Sequence, residues 1–118
     1  MSRIPDWAGE RDAVARGAAW LDAHEPGWAG AIDPALLQME HCNRCVLGQL
    51  FDGFYHGLAR IGPPDRSLIP WAVAHGFTVV GAGKRVQELT VFARLTKLWR
   101  EEVSRRVPRS PQQPEKQP

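Results

Sequence analysis

The chain has 118 residues, 43% of them apolar, with five tryptophans and a formal net charge of +2. That length suits one domain, and that composition fits a folded chain and not a disordered one. No apolar run approaches the ~18 residues needed to cross a bilayer, no apolar stretch follows Arg3 as a secretory signal would require, and two cysteines three residues apart cannot staple distant segments, so the expectation is a cytoplasmic, non-membrane protein.

The charge is unevenly spread. Residues 1–83 hold six Lys/Arg against nine Asp/Glu, whereas residues 84–118 hold nine against four. A basic C-terminal end suits an anionic partner, although a solvated helix face with a solubilising tail explains it more simply. Arginine outnumbers lysine 12 to 3, a pattern that reports a GC-rich genome better than a task.

In chain order, the first predicted helix covers Trp7 to His24, with Asp6 as its N-cap. Val14, Ala18 and Leu21 share one face with Trp20 beside it, and Ala13, Gly17 and Ala18 are small enough for a partner helix to come close. Pro26-Gly27 ends the segment. Asp33-Pro34 reads as an N-cap followed by a first-turn proline, predicting a short helix through Met39 with Leu36, Leu37 and Met39 on its apolar side.

A further helix is predicted from Asn43 or Arg44, presenting Val46, Leu47, Leu50, Phe51 and Phe54 on one broad face. Gly48, Gly53 and Gly57 predict a break near Asp52-Gly53 or close backbone packing there, with Leu58 and Ile61 adding another turn. After the Gly62-Pro63-Pro64 loop, Ser67 is placed to cap a helix over Leu68–His75. Gly76 then supplies a left-handed C-terminal cap, with Phe77 as its hydrophobic contact. Thr78-Val79-Val80 reads as extended.

The longest predicted helix runs from Lys84 to Arg106. Val86, Leu89, Phe92, Thr96, Trp99 and Val103 form a stripe that Val91, Leu95 and Leu98 widen. Gln87, Arg94, Lys97, Glu101, Ser104 and Arg105 lie opposite, and Glu101 precedes Arg105 in the favourable i, i+4 order. From residue 107 the prolines and polar residues predict an extended, disordered basic tail. The expected architecture is all-α: a compact single domain over 1–106 of about five helices, with a long C-terminal helix and a Pro-rich tail over 107–118.

The sharpest chemical motif is His41-Cys42-Asn43-Arg44-Cys45. A C-x-x-C pair supplies two corners of a tetrahedral zinc site, and Cys42 and Cys45 with two of His24, His56 and His75 would complete it. His41, adjacent to Cys42, points away from a shared metal. The same pair at a helix start suits redox chemistry, because unpaired amides and the helix dipole stabilise a thiolate. No βαβ context accompanies it, and the simpler reading makes Cys45 a small buried hydrophobe, with no cofactor.

Val80-Gly81-Ala82-Gly83-Lys84 falls short of a phosphate loop: Thr78 stands where the first glycine belongs, and Arg85 replaces the hydroxyl residue. Asp22, His24 and Glu25 read as a charged helix end. No nucleophile elbow or paired-carboxylate arrangement is visible, so the sequence leans against an enzyme.

For binding, Arg94, Lys97, Arg105 and Arg106, with Arg100 nearby, would line a phosphate-contacting helix, interrupted by Glu101 and Glu102. Trp20 and Trp99 read as core. Trp7, Trp28 and Trp71 sit near helix starts or loops, where an exposed aromatic beside arginines makes an anchor; Trp28 and Trp71 are the candidates, although core packing competes at each.

Pro26-Gly27-Trp28, Ile32-Asp33, Cys45-Val46-Leu47-Gly48-Gln49-Leu50-Phe51, His75-Gly76-Phe77 and Leu89-Thr90 through Trp99 form a series that resembles small uncharacterised proteins of actinobacteria and their phages. The resemblance spans about residues 20–102 and implies no particular activity. In its pattern Cys45 is the regular cysteine and Cys42 is not, which argues against a shared two-cysteine metal site. It also implies a phage or mobile-element origin, where small proteins act by binding host machinery. The expected function is therefore a non-catalytic protein-binding module, an adaptor or inhibitor. A nucleic-acid-binding accessory factor and a small zinc- or thiol-dependent protein are the alternatives.

Overall fold

The structure, a computed structural model, describes residues 7–64, 67–79 and 85–107, and the side chains of all of these except 85–88. Asp6 as a cap, Val80, the 81–84 glycine loop, the side chains of Val86 and Gln87, and the tail from Pro108 onward lie outside the described residues.

Helix α1, Ala8–His24, buries Ala13, Val14, Gly17, Ala18 and Leu21 along one arc. The small residues on that arc allow a close approach: a Cβ on Gly17 would fall on the carbonyl oxygen of His75 and against the Trp99 ring. Gly27 turns the chain at φ 86°, and Trp28–Ala31 form a short 3-10 turn.

The helix expected after Asp33 is not formed. Asp33 Oδ1 accepts from the Ala35 amide (3.0 Å), and the Leu36 and Leu37 amides close turns on the carbonyls of Asp33 and Pro34. Distant partners then take the groups that a helix would have paired. The Met39 amide donates to Thr96 Oγ1 (2.9 Å), and the Arg100 guanidinium donates to the carbonyls of Pro34 (3.0 Å) and Leu37 (3.1 Å). Leu37 and Met39 are buried as expected, but Leu36 is 51% exposed.

Helix α2, Val46–Phe51, starts at an N-cap formed by Cys45, whose sulfur accepts from the Gly48 amide. The break falls at Asp52-Gly53, where φ is 68° and 140°, and the Phe54 amide turns back to the Cys42 carbonyl (2.9 Å). Helix α3, Phe54–Ile61, follows and packs on α2. A Cβ on Gly57 would crowd Leu47 and Phe51, so the glycines provide both the break and the close packing.

Helix α4, Leu68–Ala74, has Ser67 at its N-cap position, but without the side-chain bond expected there. Its C-terminus closes as the sequence predicts. Gly76 takes φ 75°, its amide bonds to Val73 O (3.1 Å), and the Phe77 amide bonds to Ala72 O (2.9 Å), the paired bonds of a Schellman cap. Phe77 is fully buried.

Helix α5, Arg85–Arg106, packs on α1. Its buried stripe is Leu95, Thr96, Leu98, Trp99 and Val103; Val91 and Phe92 are half-buried, and Leu89 is 42% exposed, so the core-facing stripe is shorter than expected at its N-terminal end. The Thr96 hydroxyl is satisfied in both senses, accepting from Met39 and donating to Phe92 O (2.9 Å). Trp99, 0% exposed, lies at the centre. Its Nε1–H donates to Gly76 O (2.7 Å), its ring stacks on Phe77, and Trp28 meets it edge-on.

The architecture is thus all-α: five helices around one core, closed by the long C-terminal helix, with no strand among the described residues. Among them, too, no helix is long and apolar enough to cross a membrane.

Candidate protein-binding surface

The structure disperses the residues weighed as metal ligands. His24 ends α1, His56 lies on exposed α3 surface, and His75 caps α4. Cys42 is exposed, whereas Cys45 is buried three residues on. Among the described residues no group of three or more His, Cys, Asp or Glu is placed to hold a metal ion.

The thiol reading meets a physical obstacle at Cys45. Burial pushes its thiol up to about 11, and the Gly48 amide only partly offsets this. The helix start does lend an N–H to the sulfur, as expected, but loss of solvent outweighs it. The Cys45 S–H donates to the Cys42 carbonyl (3.7 Å), so the neutral thiol serves as a cap and a packing group.

The basic residues of α5 from Arg94 onward each find an acceptor within the chain. Arg94 pairs with Glu10 (3.2 Å) and lies over the Trp7 ring. Lys97 and Arg105 both reach Glu101 (4.0 Å), and Arg105 also binds Glu102 (2.8 Å). Arg106 makes a two-pronged bond to Asp22, with Nε to Oδ1 and Nη2 to Oδ2 both 2.8 Å, and Nη1 donates to the Glu102 carboxylate (2.6 Å). Hydrogen bonding from Arg106 holds the Asp22 carboxyl below its ordinary value, and the pairing raises the guanidinium in turn. Arg94 and Arg106 thus tie α5 to α1, and Arg100 ties it to the 33–39 segment, whereas Lys97 and Arg105 pair with glutamates of α5 itself and stay exposed.

Of the tryptophans, Trp28 is not a surface anchor. It is 3% exposed, its Nε1–H donates to Asp22 Oδ1 (2.9 Å), and Arg106 covers its ring at 5.5 Å. Trp99 is core, as expected. Trp71 is half-buried on α4, and beside it, also half-buried, stands Trp20 of α1, which the sequence had placed in the core.

These two rings meet edge to face, with centroids 5.8 Å apart at 85°. Each carries an imidazole one helical turn further on. His24 stacks on Trp20 at 4.1 Å and His75 on Trp71 at 4.3 Å. In both cases Nδ1 lies within hydrogen-bond distance of the tryptophan's own carbonyl oxygen, 2.9 and 2.8 Å. A carbonyl only accepts, so Nδ1 carries the proton in both rings. The Arg16 Nε–H crosses from α1 to Ala74 O (2.8 Å) and locks the two helices beside the rings.

The result is a four-ring ledge held by two helices, half in the core and half at the surface. Ring pairs of this geometry contribute ~0.5–1.5 kcal/mol beyond the area they bury, so the rings are fixed before any partner arrives. The sequence carried a signal for it: Trp20-Leu-Asp-Ala-His24 and Trp71-Ala-Val-Ala-His75 repeat one Trp-x-x-x-His spacing, which places each histidine over its tryptophan. Weighed separately as a core residue (Trp20), a binding anchor (Trp71) and metal ligands (His24 and His75), the four side chains did not read as a unit.

Comparison with family models, curated proteins and solved structures gives no significant match.

Proposed function

We propose that the chain is a non-catalytic protein-binding module, an adaptor or inhibitor, whose docking face is the Trp20–Trp71 ledge with His24 and His75. The observation that carries this reading is the edge-to-face pair of half-buried tryptophans at the edge of the core. Tryptophan is the side chain most enriched where binding energy concentrates, and a ring immobilised beforehand loses little freedom on association. The resemblance to proteins of actinobacteria and their phages supports a host protein as the target.

The test is comparative capture. Wild-type protein and the Trp71→Ala variant are offered the same lysate, after both have been shown to be folded. A partner retained by wild type and lost from the variant supports the proposal. Equal retention by both rejects the ledge as the docking face.

A further inference from the structure

Four of the five tryptophans belong to one unbroken series of ring contacts. It starts in the core, where Trp28 meets Trp99 edge-on with centroids 5.7 Å apart. Trp99 stacks on Phe77 at 5.4 Å, and Phe77 on Trp71 at 5.9 Å. Trp71 then meets Trp20 at 5.8 Å, at the edge of the core. Trp7 stands outside the series: Arg94 lies over its ring, and it makes no ring–ring contact among the described residues. Indole is among the side chains that most readily lose one electron, and electrons pass easily between π systems in contact. The two ends of the series differ in how well they hold the positive charge that results. Trp99 is 0% and Trp28 3% exposed, and a radical cation formed there is a charge placed in an apolar interior. The Arg106 guanidinium, 5.5 Å from the Trp28 ring centroid, opposes it further. A cation that attracts a neutral π face repels one that has itself become positive. The core rings are also poorly placed to shed the indole proton. The Trp99 N–H faces the Gly76 carbonyl, a weak base, and the Trp28 N–H faces Asp22, whose carboxylate already accepts two bonds from Arg106. Trp20 and Trp71 are half-buried, and neither indole N–H has an acceptor among the described residues. Solvent that reaches these rings stabilises the charge and accepts the proton.

We propose that this series carries oxidising equivalents out of the core, so that one-electron oxidation of the chain ends on the Trp20–Trp71 pair. The primary oxidant is a one-electron acceptor strong enough to oxidise indole, such as carbonate radical or a photo-excited metal complex. It takes an electron from Trp28 or Trp99 and is itself reduced. The radical cation so formed is refilled from Trp71 across Phe77, and Trp71 in turn from Trp20. The last ring to be oxidised gives its N–H proton to water and becomes a neutral indolyl radical. Ascorbate restores it by supplying one electron and one proton, and leaves as its own radical. The consequence for the fold is direct. Oxygen added to Trp99 would set a polar group where nothing is exposed, whereas at the ledge water can solvate it. The inference stands on the ring contacts alone and is independent of the ledge being a docking face.

The experiment photoionises the full chain with pulsed ultraviolet light, which ejects electrons from indoles whether exposed or buried. Hexaamminecobalt(III) takes each ejected electron and becomes cobalt(II). Stable oxidation products at every tryptophan are then mapped by mass spectrometry after digestion, with Trp7 as the reference outside the series. Wild type is expected to carry product on Trp20, Trp71 and Trp7, and little on Trp28 and Trp99. Trp71→Phe keeps a ring in place but not one that readily loses an electron. It is expected to raise the product at Trp28 and Trp99 several-fold, lower it at Trp20, and leave Trp7 unchanged. Phe77→Leu, which opens the middle of the series, is expected to raise product at Trp28 and Trp99 with Trp71 still present. The Trp99 indole N–H resonance reports an intact core in each variant; if Phe77→Leu loses it, Trp71→Phe decides alone. Wild-type product as heavy on Trp28 and Trp99 as on the surface pair overturns the proposal. So does an unchanged yield at Trp28 and Trp99 in folded Trp71→Phe, because exposure and not conduction then sets where oxidation ends.

Discussion

At the scale of single residues, the most constrained positions are those where the structure leaves no room. Gly17 is one, since a Cβ there meets backbone on the opposite element, which cannot swing away as a side chain would. Replacing it by alanine gains ~1 kcal/mol of helix propensity but overpacks the α1–α4 contact at the upper end of the ~1–3 kcal/mol range. Gly17→Ala is therefore expected to lose about 2 kcal/mol net, read as a lower urea midpoint at unchanged slope. Cys45 is constrained chemically. With a thiol raised from 9.0 to about 11, the folded chain holds a proton that the unfolded chain releases first. Its contribution is fully present below pH 9 and is lost as pH rises toward 11. Wild type should lose stability over that window, and Cys45→Ala should lack this component. At neutral pH a disulfide reagent should modify exposed Cys42 rapidly and reach Cys45 only on unfolding.

At the scale of elements, the deciding contacts are those between segments far apart in sequence. The two-pronged Arg106–Asp22 bond fixes the end of α5 against the end of α1. The Asp22 carboxylate is nearly half exposed, so solvent screens the pair, and its removal should cost no more than about 1 kcal/mol. Because the pairing lowers the Asp22 carboxyl, its stabilisation is present above the unfolded value near 3.8 and is lost as pH falls below it. In Arg106→Gln the Asp22 titration, followed by NMR, should move back toward 3.8, and the acid limb of the stability curve should flatten.

Elements governed by local chemistry were legible in the sequence. The Gly76 cap followed from a glycine with a hydrophobic residue behind it, and the Asp52-Gly53 break from two residues that tolerate positive φ. The 33–39 segment was not legible. Asp-Pro opens a turn as readily as a helix, and the choice was made by Thr96 and Arg100, some sixty residues away. The ledge was legible only in halves: the Trp-x-x-x-His spacing is local, but the pairing of its two copies depends on α4 returning against α1.

At the scale of the whole molecule, the charge asymmetry of the sequence does not become an open cationic surface among the described residues of α5. Arg94, Lys97, Arg105 and Arg106 each face a carboxylate, and Arg100 is bonded to backbone carbonyls. Affinity for duplex DNA rests on cations that displace counterions. The described face of α5 should therefore add little to retention on a DNA matrix, read as a nearly unchanged salt dependence when Lys97 and Arg105 are both replaced by glutamine. What the fold holds at the edge of its core is aromatic: two half-buried tryptophan rings with an imidazole stacked on each. The Trp71 ring also stacks on buried Phe77 and packs against the core, so truncating it removes packing too, and a fold control has to accompany any binding result.

The most direct measurement of the central claim is partner capture by wild type beside Trp71→Ala, with the Trp99 indole N–H, bonded to Gly76 O, as the NMR marker that the core is intact. The account predicts a partner held by wild type and lost from a variant whose Trp99 signal is unchanged. Retention of the same partner by that folded variant would contradict it.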